Sequence, residues 1–113
     1  MQDYISAIND AEALNLRASH QMLECFRAYD VRGVIGETID EHASHRIGYA
    51  AGIVMKAKSA IVGYDARATS SKFANSIALG LNEAGVDVIE IGLCGTEEVY
   101  AATVEFGADV GLM

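Results

Sequence analysis

The sequence predicts an α/β fold, because segments with helical spacing of apolar residues alternate with strand-like segments from residue 33 onward. Glycines such as Gly85, Gly92 and Gly107 mark where these segments end. A chain of 113 residues is long enough for one domain and too short for two. We expect the domain proper to cover residues 23–113, and residues 1–22 to be an extension that is disordered or helical.

The first helix and the first buried strand follow one another directly. Thr38 and Glu41 have the spacing of a capping box, which predicts a helix over residues 40–57. Its apolar set is Ala43, Ile47, Ala50, Ala51 and Val54. The apolar run at residues 60–63 is typical of a strand buried on both faces, and a polar turn follows it at residues 64–67.

A second helix, with Ser70 or Ser71 as its cap, is predicted next and ends at Gly85. Its apolar stripe is Phe73, Ile77, Leu81 and Ala84. Residues 86–91 alternate as a strand does, and Gly92 breaks the pattern.

A third helix is predicted from a cap at Thr96 to about Phe106, with two carboxylates in its first turn that suit the helix dipole. Residues 108–113 then open another core strand.

Charge and cysteine content narrow the classes of partner. A net charge of −8 opposes binding to nucleic acid or to anionic lipid, and no segment approaches the run of about 20 apolar residues that a membrane span needs. We therefore expect no nucleic-acid and no membrane partner. Cys25 and Cys94 are far apart and lack a CxxC partner, so we expect buried thiols and a reducing, cytoplasmic location.

Ligands of open α/β sheets gather at the carboxyl ends of the strands. Here these ends are residues 29–33, 63–71 and 92–96. Two of the three segments carry an Asp-x-Arg pair, Asp30 with Arg32 and Asp65 with Arg67. A guanidinium fork binds phosphate oxygens in a bidentate manner, so a phosphorylated substrate is one interpretation. A structural salt bridge at a strand end is the alternative, and the residues alone leave both open.

Two weaker signals complete the candidates. His42 and His45 are three positions apart on the first helix, a spacing that can bind a metal, but no third ligand is evident and a solvated helix face is favoured. Asp30 and Asp65 can be imagined as a pair for acid–base work, although the arginine beside each would keep it ionised.

Four ordered segments resemble the first domain of the α-D-phosphohexomutases, in the bacterial phosphomannomutase/phosphoglucomutase branch. They are residues 26–33 (FRAYDVRG), 62–67 (VGYDAR), 85–92 (GVDVIEIG) and 95–103 (GTEEVYAAT). The resemblance implies a three-layer α/β/α domain with a mixed, mostly parallel, four-stranded sheet.

The resemblance also implies an activity. Family members have four domains, use a phosphoserine and Mg²⁺, and interconvert hexose 6-phosphate and hexose 1-phosphate, here mannose phosphates for capsule or lipopolysaccharide precursors. The serine lies in a Thr-Ala-Ser-His-Asn-Pro loop after the fourth strand, and a DGDxDR loop in domain two holds the metal. Neither loop is in this sequence, and Met113 falls where the serine loop would begin. We therefore expect these 113 residues to lack the nucleophile and the metal ligands and to be inactive by themselves.

By the same resemblance, Tyr29 and Arg32 are expected to bind the substrate phosphate. Asp30, Asp65, Arg67 and Ser70 are expected to support the active site, the GxDxR motif lying below the serine loop. The expected partners are a hexose phosphate and the remaining mutase domains. A noncatalytic module that binds sugar phosphate or a partner protein is the alternative function.

Overall fold

The computed structural model describes residues 23–26 and 31–113, which form three helices and three strands. In chain order these are α1 (Glu41–Val54), β1 (Ser59–Tyr64), α2 (Ser70–Glu83), β2 (Asp87–Leu93), α3 (Thr96–Glu105) and β3 (Val110–Leu112). The strand order is β2-β1-β3, so the first apolar run of the sequence is the central strand. The expected extension over residues 1–22 lies outside the described residues.

The sheet confirms the α/β class but not the number of strands. The prediction of four strands in a mixed sheet is wrong for the described residues, where three strands pair and both pairings are parallel. Residues 26 and 31 make only an isolated antiparallel bridge. The Arg32 N–H also donates to the Cys25 carbonyl at 2.7 Å, and none of the described residues before α1 pairs with the three strands of the sheet.

The central strand β1 is buried on both faces, as its apolar run predicts. Ala60 and Val62 face α2 and belong to a cluster with Leu81, whereas Ile61 faces α3 and packs with Val99. Complete burial of a side chain such as Ile61 contributes about 1.5–3 kcal/mol. Helices therefore cover both faces of the sheet, with α1 outside α2 on one side and α3 on the other.

The buried face of α1 differs from the predicted apolar set. The buried residues are Ala43, Ser44, Gly48, Tyr49 and Gly52, whereas Val54 is 51% exposed. The reason is the partner: α1 packs against the helix α2 rather than the sheet, and small residues allow the close approach. A Cβ at Gly48 would overlap the carbonyl oxygen of Ile77, and one at Gly80 would overlap that of His45.

The first helix has a different cap from the predicted one. Asp40 caps α1 by accepting the Ala43 N–H at 2.8 Å. Thr38, the predicted cap, instead accepts the Val34 N–H at 2.8 Å and closes the preceding turn.

The other two helices also begin differently. At α2 the cap position is Thr69, which makes no side-chain cap bond, and the hydroxyl of Ser70, one of the two predicted caps, donates to Asp65. At α3 the cap is Gly95, whose N–H donates to the Glu98 carboxylate at 2.9 Å.

Both outer strands depart from their predicted limits. Strand β2 continues through Gly92, because a bulge beside Val62 and Gly63 shifts the register and Gly92 takes a φ of +76° that suits glycine. Strand β3 has only three residues, shorter than the predicted strand at residues 108–113, and within the described residues it pairs with β1 alone. In the described part of the chain, no helix is both long enough and apolar enough to cross a membrane.

Candidate functional site

A cleft of about 970 Å³ lies at the carboxyl ends of β1 and β3. Its polar lining includes Arg32, Asp65, Arg67, Thr69 and Ser70. Its apolar wall includes Ile39, Ile47, Phe73, Ile77 and Leu112. This is the edge of a parallel sheet at which ligands are expected, because loops and helix N-termini meet there.

The cleft joins two of the three segments that the sequence singled out. Arg32 comes from the first segment, and Asp65, Arg67 and Ser70 come from the second. The third segment, residues 92–96, does not line the cleft, because β2 lies on the far side of β1 from β3. Tyr29 and Asp30 lie outside the described residues, so their predicted roles stay predictions.

Asp65 is the centre of a small hydrogen-bond network at the end of β1. Its Oδ1 accepts the Ser70 hydroxyl and also the Arg67 backbone N–H, the latter at 3.2 Å. Its Oδ2 lies 3.3 Å from Arg67 Nε. One carboxylate thus fixes the turn, the first residue of α2 and the guanidinium together.

The same contacts keep Asp65 ionised. The Ser70 hydroxyl and then the Arg67 N–H lower the pKa of this carboxyl below its ordinary value, and the nearby guanidinium lowers that pKa further. Asp65 is therefore a hydrogen-bond acceptor at neutral pH and is not suited to donate a proton. This argues against the acid–base pair with Asp30 that the sequence allows.

The two helix histidines do not form a solvated face. His42 is exposed, but His45 points toward α2, where its Nε2 lies 3.0 Å from the Glu83 carboxylate. His45 Nδ1 is buried without a hydrogen-bond partner among the described atoms. The prediction failed because α1 packs on a helix, which a helical spacing alone does not reveal.

The next question is whether the described side chains include a set of metal ligands. Over residues 23–26 and 31–113, no group of three or more His, Cys, Asp or Glu side chains is placed to hold a metal ion. The Mg²⁺ that the resemblance implies is expected on a loop of domain two, which is not part of this sequence. Both Cys25 and Cys94 are free thiols, with Cys25 fully buried.

The apolar wall of the cleft was not predicted as part of a site. Phe73 and Ile77 belong to the predicted stripe of α2, which the sequence assigns to the core. Ile39, which precedes α1, and Ile47, which lies on α1, also line the cleft. One feature of the sequence could have indicated that Phe73 and Ile77 line the cleft. The apolar stripe of α2 begins near the N-terminus of the helix, directly after the GxDxR turn.

Comparison with known proteins gives the chain its family. Residues 23–113 match the family described as phosphoglucomutase/phosphomannomutase, alpha/beta/alpha domain I. A phosphomannomutase of Escherichia coli is 48% identical over 91 residues, which cover 80% of this chain and 20% of that protein.

Two further relatives agree with this match. A phosphomannomutase of Klebsiella pneumoniae is 48% identical over 90 residues, covering 80% of this chain and 57% of that protein. A Xanthomonas campestris protein named phosphohexose mutases is 38% identical over 91 residues, covering 80% and 20% of the two chains.

This chain therefore spans about a fifth of the length of the Escherichia coli and Xanthomonas relatives. The match of residues 23–113 and the shared α/β architecture agree, and the chain belongs to the phosphoglucomutase/phosphomannomutase family, of which it carries domain I.

Proposed function

We propose that these 113 residues are the N-terminal part of a phosphomannomutase. The whole enzyme would interconvert mannose 6-phosphate and mannose 1-phosphate by intramolecular phosphoryl transfer, for capsule or lipopolysaccharide precursors. The observation that carries the proposal is the cleft that Arg32 lines together with Asp65 and Arg67, since these residues come from two separate motifs. The relatives named phosphomannomutase support the choice of sugar.

The chemistry of the cleft fits phosphoryl transfer. Charge spreads over the phosphoryl oxygens in that reaction, and fixed cations lower the barrier by offsetting it. In this proposal Tyr29 and Arg32 bind the phosphate, while Asp30, Asp65, Arg67 and Ser70 hold the active site in place. Mg²⁺ would be bound elsewhere in the whole enzyme.

A polypeptide of only these 113 residues is expected to bind but not to turn over. The phosphoserine and metal loops of the family are absent from its sequence. Arginine side chains can bind a phosphoryl group, but without the serine there is no nucleophile to which it can be transferred. A coupled assay that follows conversion of mannose 1-phosphate should give a rate equal to the blank. Turnover by the purified chain would contradict this part of the proposal.

A chimera tests the positive part. Residues 23–113 would replace the matching segment of the Escherichia coli phosphomannomutase, with which they share 48% identity. We expect the chimera to be active, and Arg32→Gln in it to lower kcat/KM by about 100-fold or more, as loss of a group that offsets developing charge does. The matched control is Lys72→Gln, which removes an exposed charge outside the cleft. Equal activity of the Arg32 variant and the control would refute the assignment.

A noncatalytic module that binds sugar phosphate is the second candidate. It is favoured by one observation, namely that the described residues bring two arginines, Arg32 and Arg67, to one cleft. An active chimera would exclude it. An inactive but folded chimera, together with saturable binding of mannose 1-phosphate to the chain, would support it.

The location and the partners follow from the same proposal. Two free thiols fit a reducing compartment, which supports the cytoplasm. The remaining mutase domains are the proposed protein partner. Exposed apolar side chains on α3, including Tyr100 at 67% and Val104 at 83% exposure, support packing against such domains.

A further inference from the structure

We infer that Arg67 is a direct ligand of the phosphoryl group in the cleft, and that Asp65 and Ser70 act as positioning residues through it. This rests on the proposed function and deepens it, because the resemblance gives the GxDxR motif only a supporting role below the serine loop. The ligand is a phosphate monoester or inorganic phosphate.

The first argument is the way in which Arg67 is held. Its closest approach to Asp65 is through Nε, at 3.3 Å, and the side chain is 84% exposed. A guanidinium has five N–H donors, and one carboxylate oxygen engages few of them. Most of the donor fork therefore remains available to a second acceptor on the open side of the cleft.

The second argument is that Asp65 cannot easily move away. Its other oxygen accepts both the Ser70 hydroxyl and the Arg67 N–H, and these bonds also keep the carboxylate charged by lowering its pKa. Because the Asp65 carboxylate lies 3.3 Å from Arg67 Nε, it restricts the orientation of the guanidinium before any ligand binds. Such preorganisation reduces the entropy lost on binding.

The third argument is the sign of the charge. Among the described residues, the charged side chains that line the cleft are Arg32, Asp65 and Arg67, two positive and one negative, in a chain whose net charge is −8. The remaining wall is mostly uncharged, with side chains such as Phe73 and Ile77. An anion is therefore attracted to this cleft and repelled by the surface as a whole.

Titrations followed by NMR test the inference on the ¹⁵N-labelled chain. Inorganic phosphate and mannose 1-phosphate are added separately at low salt to the parent chain and to Arg67→Gln, Arg67→Lys and Lys72→Gln. We expect saturable shifts in the parent, affinity reduced about tenfold or more in both Arg67 variants, and a change under twofold in Lys72→Gln. The lysine variant keeps the charge but loses the planar fork, so it separates geometry from charge.

The positioning roles need their own readout. Asp65→Asn and Ser70→Ala are expected to weaken phosphate binding several-fold and to move the Arg67 Nε–H resonance toward the value of a free arginine. A purely structural role would leave the phosphate affinity unchanged in every variant that keeps a dispersed spectrum and the parent's urea midpoint.

The outcomes distinguish the two proposals. Saturable binding that Arg67→Gln leaves unchanged overturns the inference alone. Absence of binding by the parent chain to either ligand overturns both the inference and the proposed phosphate site.

Discussion

Replacing Gly80 with alanine is expected to destabilise the chain, although alanine is the better helix former. A Cβ at this position would overlap the His45 carbonyl oxygen and lie 2.8 Å from the Tyr49 nitrogen. Both are backbone atoms of α1, so no side-chain rotation relieves the clash and the two helices must separate. Overpacking of this kind costs about 3 kcal/mol at the upper end of its range, and the gain in helix propensity offsets about 1 kcal/mol. The net loss is about 2 kcal/mol.

Urea unfolding followed by circular dichroism measures this loss. With a denaturant dependence of about 2 kcal/mol/M, the midpoint should fall by about 1 M. The matched control is Asn75→Ala on the exposed side of α2, where the gain in propensity is not opposed and stability should rise by a few tenths of a kcal/mol. A midpoint for Gly80→Ala at or above that of the parent would refute the close approach of α1 and α2.

Three further substitutions probe other contacts. Gly63→Ala places a Cβ 2.5 Å from the sulfur of Cys94 and should lower the free energy of unfolding by about 1–3 kcal/mol. In a double-mutant cycle, adding Cys94→Ala should restore at least half of this loss, and additive effects of the two substitutions would contradict the packing. Asp109 accepts two backbone N–H groups at the start of β1, and these hydrogen bonds lower the pKa of its carboxyl. Its contribution to the free energy of unfolding is therefore present above the ordinary pKa of 3.8 and is lost as the pH falls through the lower pKa of the folded state. Asp109→Asn should therefore lower the urea midpoint at pH 6 by an amount that shrinks below pH 3.8, and a gap constant with pH would refute the linkage. Glu98→Ala removes the carboxylate that caps α3 and should lower the free energy of unfolding by about 0.5–1 kcal/mol. The control Glu97→Ala should lower it less, and equal melting temperatures for the two variants would argue against the cap.

Much of the fold is predictable because it depends on short-range chemistry. The run at residues 60–63 has apolar residues on both sides of the strand, and only a central position buries both. The helix ends at Gly85 and Gly107 follow from backbone angles that glycine adopts most easily, with φ of +84° and +63°. These features need no knowledge of distant partners.

The errors arise where several local choices have similar energies. Thr38 and Asp40 both suit the start of α1, and caps differ by a few tenths of a kcal/mol, so the turn that Thr38 closes with Val34 decides between them. The buried face of α1 depends on whether a sheet or a helix covers it. The four-stranded sheet that the family resemblance implies is not found in the described residues, where three strands pair and residues 26 and 31 make an isolated bridge.

The site was predictable as two motifs but not as one cleft. An Asp-x-Arg pair identifies each of the two loops in the sequence, yet only the packed structure shows that Arg32 and Arg67 line the same cleft. The contact of His45 with Glu83 could not be predicted at all, because the two residues are far apart in sequence and neither belongs to a recognisable motif.

Stability and ligand binding are expected to depend on different parts of this domain. The glycines of α1 and α2 set the separation of these two helices, which contribute Ile47 and Ile77 to the apolar wall of the cleft. The phosphate is expected at the arginines rather than at this wall, so Gly80→Ala should reduce binding mainly by unfolding the chain. Arg67 is 84% exposed, so its substitution should change affinity with little effect on unfolding. If Gly80→Ala weakened phosphate binding at temperatures where it remains folded, the separation of α1 and α2 would itself determine the geometry of the cleft.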